Sequence, residues 1–203
     1  ADIGGGALYA AIGILLALRA RDQSGIGQYV DTSMLDGAVS WLPIAASDYF
    51  MTGEPPKPGS AMLLGRNACY EVYETKDGRF ISIGAVEPHL WANFCEKIQK
   101  PEYIEWQRVV EKQPEMFQTL RALFKTKTQA EWCEFLKDVD CCWAPVLQLD
   151  EVFQNPQIQA RDMIFEMEDP QGQYGAVRQI GSAVKLSETP ARRELFPPRK
   201  GEH

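Results

Sequence analysis

The feature that most limits the fold of this chain is a segment rich in proline and glycine at residues 52–60. It contains Gly53, Pro55, Pro56, Pro58 and Gly59. Proline has no amide hydrogen and its ring obstructs the preceding helical turn, so the segment can neither continue a helix nor lie inside a sheet. We therefore predict two parts joined by a linker at residues 51–62. The 203 residues are enough for one large or two small hydrophobic cores.

Composition argues against several classes of protein. The net charge of −7 disfavours a general nucleic-acid or anionic-membrane surface. The five cysteines form no CxxC pair and show no metal-ligand spacing, and there are only two histidines. We expect a reduced, cytoplasmic protein that has no metal site and no nucleic-acid or membrane partner.

The first residues place a carboxylate beside a helix start. Asp2 comes shortly before Gly4, Gly5 and Gly6, and an apolar run at residues 7–18 follows. The first amides of a helix lack intrahelical acceptors and favour negative charge, and glycine permits close approach of a ligand. An oxygen that becomes negative during a reaction could bind here. The alternative is that Asp2 simply caps the helix.

The apolar run itself predicts a helix that is buried in a core. We expect it to be closed by the charged residues 19–22, followed by a loop at residues 22–28. That length is too short for a membrane span.

The remaining patterns predict a layered α/β opening followed by an α+β part. A strand at residues 29–32 and a helix capped by Ser33 follow the first helix. Alternating apolar residues predict two β-hairpins, one at residues 69–84 around Asp77-Gly78 and one at residues 163–180. Helices are expected at residues 89–98 and 114–124, after Thr128 and at residues 156–161; a strand is expected at residues 144–147, and an extended tail at residues 188–203.

Few other side chains stand out as chemical candidates. Glu87 ends a strand and precedes Pro88 at a helix start, where it could enter a cleft or act only as an N-cap. Arg66 lies on a loop containing glycine and could bind a phosphate or carboxylate, although an exposed loop arginine is the commoner case. His89 could act as an acid or base, although a structural or solvated role is the commoner case. Cys141 and Cys142 are interpreted as core thiols.

Several stretches together resemble the family III CoA-transferases, the CaiB/BaiF family, which includes α-methylacyl-CoA racemase. They are residues 1–18, 25–37, 73–79, 83–88 and 201–203. The resemblance implies an internal fragment that lacks the N-terminal part of the family fold. It also implies that residues 1–50 belong to a large Rossmann-like CoA-binding domain and residues 63–180 to a small domain. Residues 181–203 would return to the large domain, and two full-length chains would form an interlocked homodimer.

The resemblance also implies an active site. Asp2 would act on the acyl-CoA thioester, as a nucleophile in transferases or, with a histidine upstream, as a base in racemases. The backbone amides of Ile3, Gly4 and Gly5 would bind the thioester oxygen. The CoA thioester would be the substrate, with no separate cofactor.

The choice of reaction depends on the small domain. Val86-Glu87-Pro88 resembles the racemase pattern and would bring Glu87 into the site, so a racemase is favoured over a transferase. Arg66 and Asn67 would contact the substrate, although they depart from the small residues usual in racemases. A third alternative is a non-catalytic fragment that folds without binding CoA.

Overall fold

Helices precede and surround two small antiparallel sheets in this chain. The computed structural model describes residues 1–192, 195–198, 200 and 201. The mixed α/β class is confirmed. All strand pairs in the described residues are antiparallel, so the Rossmann-like part of the prediction remains an expectation.

The N-terminal helix is longer than predicted. A π-helical turn, Asp2–Ala7, continues directly into helix α1, Leu8–Ser24. The predicted end at residues 19–22 is wrong because arginine, alanine and glutamine propagate a helix well. Gly25, with φ of 73°, is the first residue that provides a left-handed C-cap.

The predicted burial of this helix is also wrong in this structure. None of the α1 residues is buried, and Ile12, Leu15 and Leu16 are all more than half exposed. The continuous helix Asp2–Ser24 is long and apolar enough to cross a membrane by length and composition alone. The length argument against a membrane span therefore fails. Core helices of soluble proteins pass the same test, so the test does not assign a location.

Two shorter helices follow. Helix α2, Met34–Ser40, begins as predicted at Ser33, whose Oγ accepts hydrogen bonds from the Leu35 and Asp36 amides. Helix α3, Pro43–Thr52, ends at Gly53. Residues 29–32 pair with no strand in the described part of the chain, so the strand predicted there is wrong. The linker at residues 51–62 remains a prediction.

The main sheet has the order β1-β2-β3. Strands β1, Tyr70–Glu74, and β2, Phe80–Gly84, form the predicted hairpin, and β3, Trp143–Pro145, pairs with β2. In the turn, the Thr75 hydroxyl donates to Asp77 Oδ1 at 2.5 Å, and Gly78 has φ of 73°. The hairpin is thus specified by local turn chemistry.

Three helices supply most of the hydrophobic core beside this sheet. They are α4, Pro88–Lys97, α5, Gln113–Phe124, and α6, Gln129–Leu136. Aromatic rings dominate the core, and Phe124 stacks on Tyr73 with ring centroids 4.7 Å apart. The buried residues of this core all lie between residues 68 and 141.

The last part of the chain contains the predicted helix and hairpin, together with one helix that was not predicted. Helix α7, Leu149–Gln154, was not predicted, whereas α8, Pro156–Ala160, begins after Asn155 as expected. Strands β4, Ile164–Glu168, and β5, Ala176–Ile180, form the second predicted hairpin. The described residues of the predicted tail form neither helix nor strand, and Glu202 and His203 lie outside the described residues.

Candidate functional site

Asp2 is the first residue of its helix and does not cap it. Ala1 occupies the N-cap position, the Asp2 side chain makes no capping hydrogen bond, and the residue is exposed. The amides of Asp2, Ile3 and Gly4 have no backbone acceptor within the described chain, as is usual for a first helical turn. The Asp2 carboxylate, which makes no capping hydrogen bond, therefore lies beside amide donors that have no backbone acceptor.

The amide of Gly5, unlike those of Asp2, Ile3 and Gly4, has a backbone acceptor. It donates to the Ala1 carbonyl at 2.7 Å, and the Gly6 amide donates to the same oxygen at 3.0 Å. The Gly5 amide is therefore not free to bind a ligand in this structure, and its contact with the thioester oxygen stays a prediction. Ile3 and Gly4 remain candidates.

Gly5 instead allows α2 to pack closely. It is buried, and a Cβ added to Gly37 would lie 1.9 Å from the Gly5 carbonyl oxygen. A Cβ on Gly5 would lie 3.2 Å from the Met34 carbonyl oxygen and from the Ala38 nitrogen. The Tyr9 hydroxyl and Ser40 Oγ, 2.7 Å apart, form a hydrogen bond across the same contact. The Asp2 turn is thus held by backbone packing against α2.

Glu87 occupies the N-cap position of α4, and Ala85 and Val86 separate it from the end of β2 at Gly84. Its carbonyl accepts from the Trp91 amide at 3.1 Å, but its side chain makes no capping hydrogen bond and is exposed. Within the described residues, neither the Asp2 nor the Glu87 side chain makes a hydrogen bond or ion pair. Both carboxylates are free to meet a ligand, and their meeting in one site stays a prediction.

Arg66 and Asn67 are adjacent in sequence but occupy different environments. Arg66 ends the irregular turn Met62–Arg66, is exposed, and lines an open cleft of about 890 Å³. Asn67 is only 7% exposed because the chain enters the core here on its way into β1. Little of Asn67 is available to a ligand in this structure, whereas Arg66 is accessible.

A second cleft, of about 540 Å³, lies beside the main sheet. Tyr70, Ser82, Gly84 and Cys142 are among its lining residues. Cys142 is exposed, so its predicted place as a core thiol is wrong. Its neighbour Cys141 is buried as predicted, and burial raises the pKa of that thiol to about 11. The Cys141 thiol is therefore inert at neutral pH.

Two buried glutamines connect the predicted site segments and were missed from the sequence. Gln113 Oε1 accepts from the Ala68 amide at 2.8 Å, and Gln113 Nε2 donates to the Gln107 carbonyl at 3.1 Å. Gln107 Nε2 in turn donates to the carbonyls of Ala85 and Val86. This chain of hydrogen bonds runs from the residue after Asn67 to the residue before Glu87. No local sequence pattern reveals this chain of hydrogen bonds, because the neighbours of a buried glutamine in the sequence do not distinguish it from an exposed glutamine.

The structure offers less support for a chemical role of the remaining candidates. His89 is exposed, as expected for a solvated residue. In the part of the chain that the structure describes, no group of three or more histidine, cysteine, aspartate or glutamate residues could hold a metal ion. The expectation that the protein uses no metal or separate cofactor remains an expectation.

Comparisons with known proteins give one consistent family. The sequence profile of CoA-transferase family III matches residues 1–203. The chain is 35% identical over 152 residues to alpha-methylacyl-CoA racemase from Mus musculus, covering 74% of this chain and 40% of the racemase. It is 30% identical over 183 residues to succinyl-CoA:mesaconate CoA-transferase from Haloarcula marismortui, covering 88% of this chain and 45% of that enzyme.

The fold agrees with that result. A crystal structure of a CAIB/BAIF family protein from Brucella suis matches with a TM-score of 0.71 and 23% sequence identity. The match covers 98% of this chain and 52% of that chain. The chain thus spans about half the length of the proteins it matches.

Proposed function

The chain belongs to CoA-transferase family III, and from that membership we propose that the full-length protein racemises 2-methylacyl-CoA thioesters. The observation that carries this proposal is the exposed Asp2 carboxylate, which caps nothing and lies beside the unpaired amides of Ile3 and Gly4. The 35% sequence identity with an alpha-methylacyl-CoA racemase, over an alignment that covers 74% of the chain, supports this branch of the family.

The proposed chemistry is removal and return of one proton. The Asp2 carboxylate takes the proton from the carbon next to the thioester carbonyl, and the electron pair moves onto the carbonyl oxygen. The amides of Ile3 and Gly4 stabilise the resulting enolate oxygen, which is negative only after proton transfer. Return of a proton to the opposite face needs a second acid. By family resemblance this acid is a histidine upstream of residue 1, and Glu87 contributes to the same site.

The test is exchange of that proton in deuterated water. The full-length protein is incubated with 2-methylacyl-CoA thioesters, and deuterium at the α-carbon is followed by mass spectrometry. We expect Asp2→Asn to lower the exchange rate about 100-fold or more, because the amide is not a competent base. Asp22→Asn is the matched control, since Asp22 is exposed on the same helix. An unlabelled substrate pool with the wild-type protein, or full exchange with Asp2→Asn, would contradict the proposal.

A CoA-transferase is the second candidate, favoured by the 30% sequence identity with a CoA-transferase over an alignment that covers 88% of the chain. Asp2 would attack the thioester carbonyl, forming a mixed anhydride and releasing the CoA thiolate. The thiolate would then attack the aspartyl carbonyl, giving aspartyl-CoA and a free carboxylate. A second carboxylate would take over the CoA by the reverse steps.

Hydroxylamine distinguishes the two reactions, because it traps an acylated carboxylate but leaves a racemase base unmodified. In a transferase, mass spectrometry of the peptide containing Asp2 shows the hydroxamate only when acyl-CoA is present. Exchange at the α-carbon without trapping supports the racemase, and trapping with CoA transfer supports the transferase.

A further inference from the structure

The cleft that contains Arg66 has a second arginine on its wall. Arg121, on α5, lines the same open cleft of about 890 Å³. Neither guanidinium lies within 4.0 Å of a carboxylate of the described residues. The Arg66 loop and the α5 helix are separated by more than 40 residues in sequence, so only the fold brings them to one cavity.

The charge of this cleft is opposite to that of the chain. The chain carries 28 acidic and 21 basic residues, yet no aspartate or glutamate lines the cleft. Glu71, whose Oε2 would lie 3.6 Å from a Cβ on Gly65, lines the neighbouring cleft instead and accepts from the Val72 amide. Two unpaired arginines in an otherwise acidic protein create a local preference for an anion.

The rest of the lining is mainly apolar. Its apolar side chains are those of Val110, Pro114 and Phe117, and the Arg121 guanidinium carbon lies 5.2 Å from the centre of the Phe117 ring. The polar groups are few. The Gln113 amide is engaged with the core backbone, and Ser60 Oγ bonds to Lys57. Gln118 is exposed and is the remaining polar side chain of the lining. A nucleotide would find only this amide for its ribose and base, which disfavours that class of ligand.

We propose that this cleft binds an apolar carboxylate, such as a free aliphatic acid. The carboxylate pairs with the guanidiniums of Arg66 and Arg121, and the hydrocarbon part covers Phe117, Pro114 and Val110. Neither Asp2 nor Glu87 lines the cleft. The proposal therefore goes beyond the proposed reaction, and its test requires no turnover.

The test compares three small molecules on the full-length protein by NMR titration. Octanoate carries both recognised features, octan-1-ol lacks the charge and acetate lacks the apolar part. We expect octanoate to bind at least tenfold more tightly than either of the others, with shifts at the Arg66 and Arg121 side-chain signals. Because these ligands are compared on the unmodified protein, the result does not depend on whether a variant folds.

Substitution of each arginine then tests whether its charge binds the carboxylate. Arg66→Gln and Arg121→Gln are each expected to weaken octanoate binding about five- to tenfold and to leave octan-1-ol binding unchanged. Arg178→Gln is the matched control, because Arg178 is exposed on β5 and pairs with Glu166. Equal affinity for octanoate and octan-1-ol, an equal effect of Arg178→Gln, or no saturable octanoate binding up to about 10 mM would overturn the proposal.

Discussion

At the scale of residues, the most informative finding is that neither Asp2 nor Glu87 caps its helix. A capping side chain accepts a hydrogen bond from an amide in the first turn, and this bond is the usual reason for an aspartate at the N-cap position. Asp2 lies one residue too late for that role, and Glu87 occupies the N-cap position without making the bond. Side-chain capping therefore does not explain these two carboxylates, and a chemical role remains as the proposal.

An ion pair between Arg79 and Glu151 makes stability depend on pH. The Arg79 guanidinium and then the Gln148 amide hold the pKa of the Glu151 carboxyl below its ordinary value of 4.5. A lowered folded-state pKa means that the unfolded chain binds the proton more tightly. The stabilisation is present above pH 4.5 and is lost as the pH falls through the folded-state pKa.

We therefore expect Glu151→Gln to lower the urea midpoint at pH 7, and the difference from wild type to shrink at pH 3. Glu134→Gln is the control, because Glu134 forms an exposed i, i+3 pair with Lys137. A difference for Glu151→Gln that stays constant between the two pH values would show that the ion pair does not carry the effect.

The Gln113 side chain provides a second prediction about a single residue. Gln113→Leu leaves the Ala68 amide and the Gln107 carbonyl without their partner inside the core. We expect a loss of about 2 kcal/mol in the free energy of unfolding, measured by urea denaturation. Gln118→Leu, on the exposed side of the same helix, should change it by less than about 0.5 kcal/mol. Equal losses in the free energy of unfolding for the two variants would refute the idea that the Gln113 hydrogen bonds stabilise the core.

At the scale of elements, the contact between the Asp2 turn and α2 depends on two glycines. Gly37→Ala places a Cβ 1.9 Å from the Gly5 carbonyl oxygen, which is a backbone atom of the facing helix and cannot rotate away. We expect the two elements to separate, with faster hydrogen exchange at residues 5–9 and 34–40.

The matched control for that contact is Gly4→Ala, since a Cβ at Gly4 meets nothing within 4 Å. This substitution should leave exchange unchanged or slow it, because alanine favours a helix more than glycine does. Unaltered exchange in Gly37→Ala would mean that the helices have room to shift.

At the scale of the whole molecule, the described residues form a buried core and an uncovered helical part. The buried cluster draws only on residues 68–141, whereas the apolar side chains of α1 are exposed. An apolar surface of this kind is normally covered by another part of a protein or by a partner. The family relatives are about twice as long as this chain, and we propose that their additional length corresponds to the covering part.

This proposal predicts how the 203-residue chain behaves when it is produced alone. We expect isothermal titration of CoA into this chain to give no saturable heat, while the full-length protein binds CoA and forms the interlocked dimer proposed from the family. Tight CoA binding by the 203-residue chain would show that the residues described here suffice for the site.

The sequence by itself determined the features that depend on neighbouring residues. The hairpin turn at Asp77-Gly78, the capping box at Thr128 and the N-cap at Ser33 all appear where they were predicted, because each is stabilised within a few residues. The family was likewise predicted from ordered motifs and is confirmed.

Only the tertiary structure decided the features that join distant residues. Sequence could not show that α1 is uncovered or that Gly5 packs on Gly37. It also could not show that Gln113 holds Ala68, 45 residues away, or that Arg121 shares a cleft with Arg66. The physical reason is the same in each case: burial and close packing depend on which surfaces meet, and periodicity along one segment contains no information about the segment opposite.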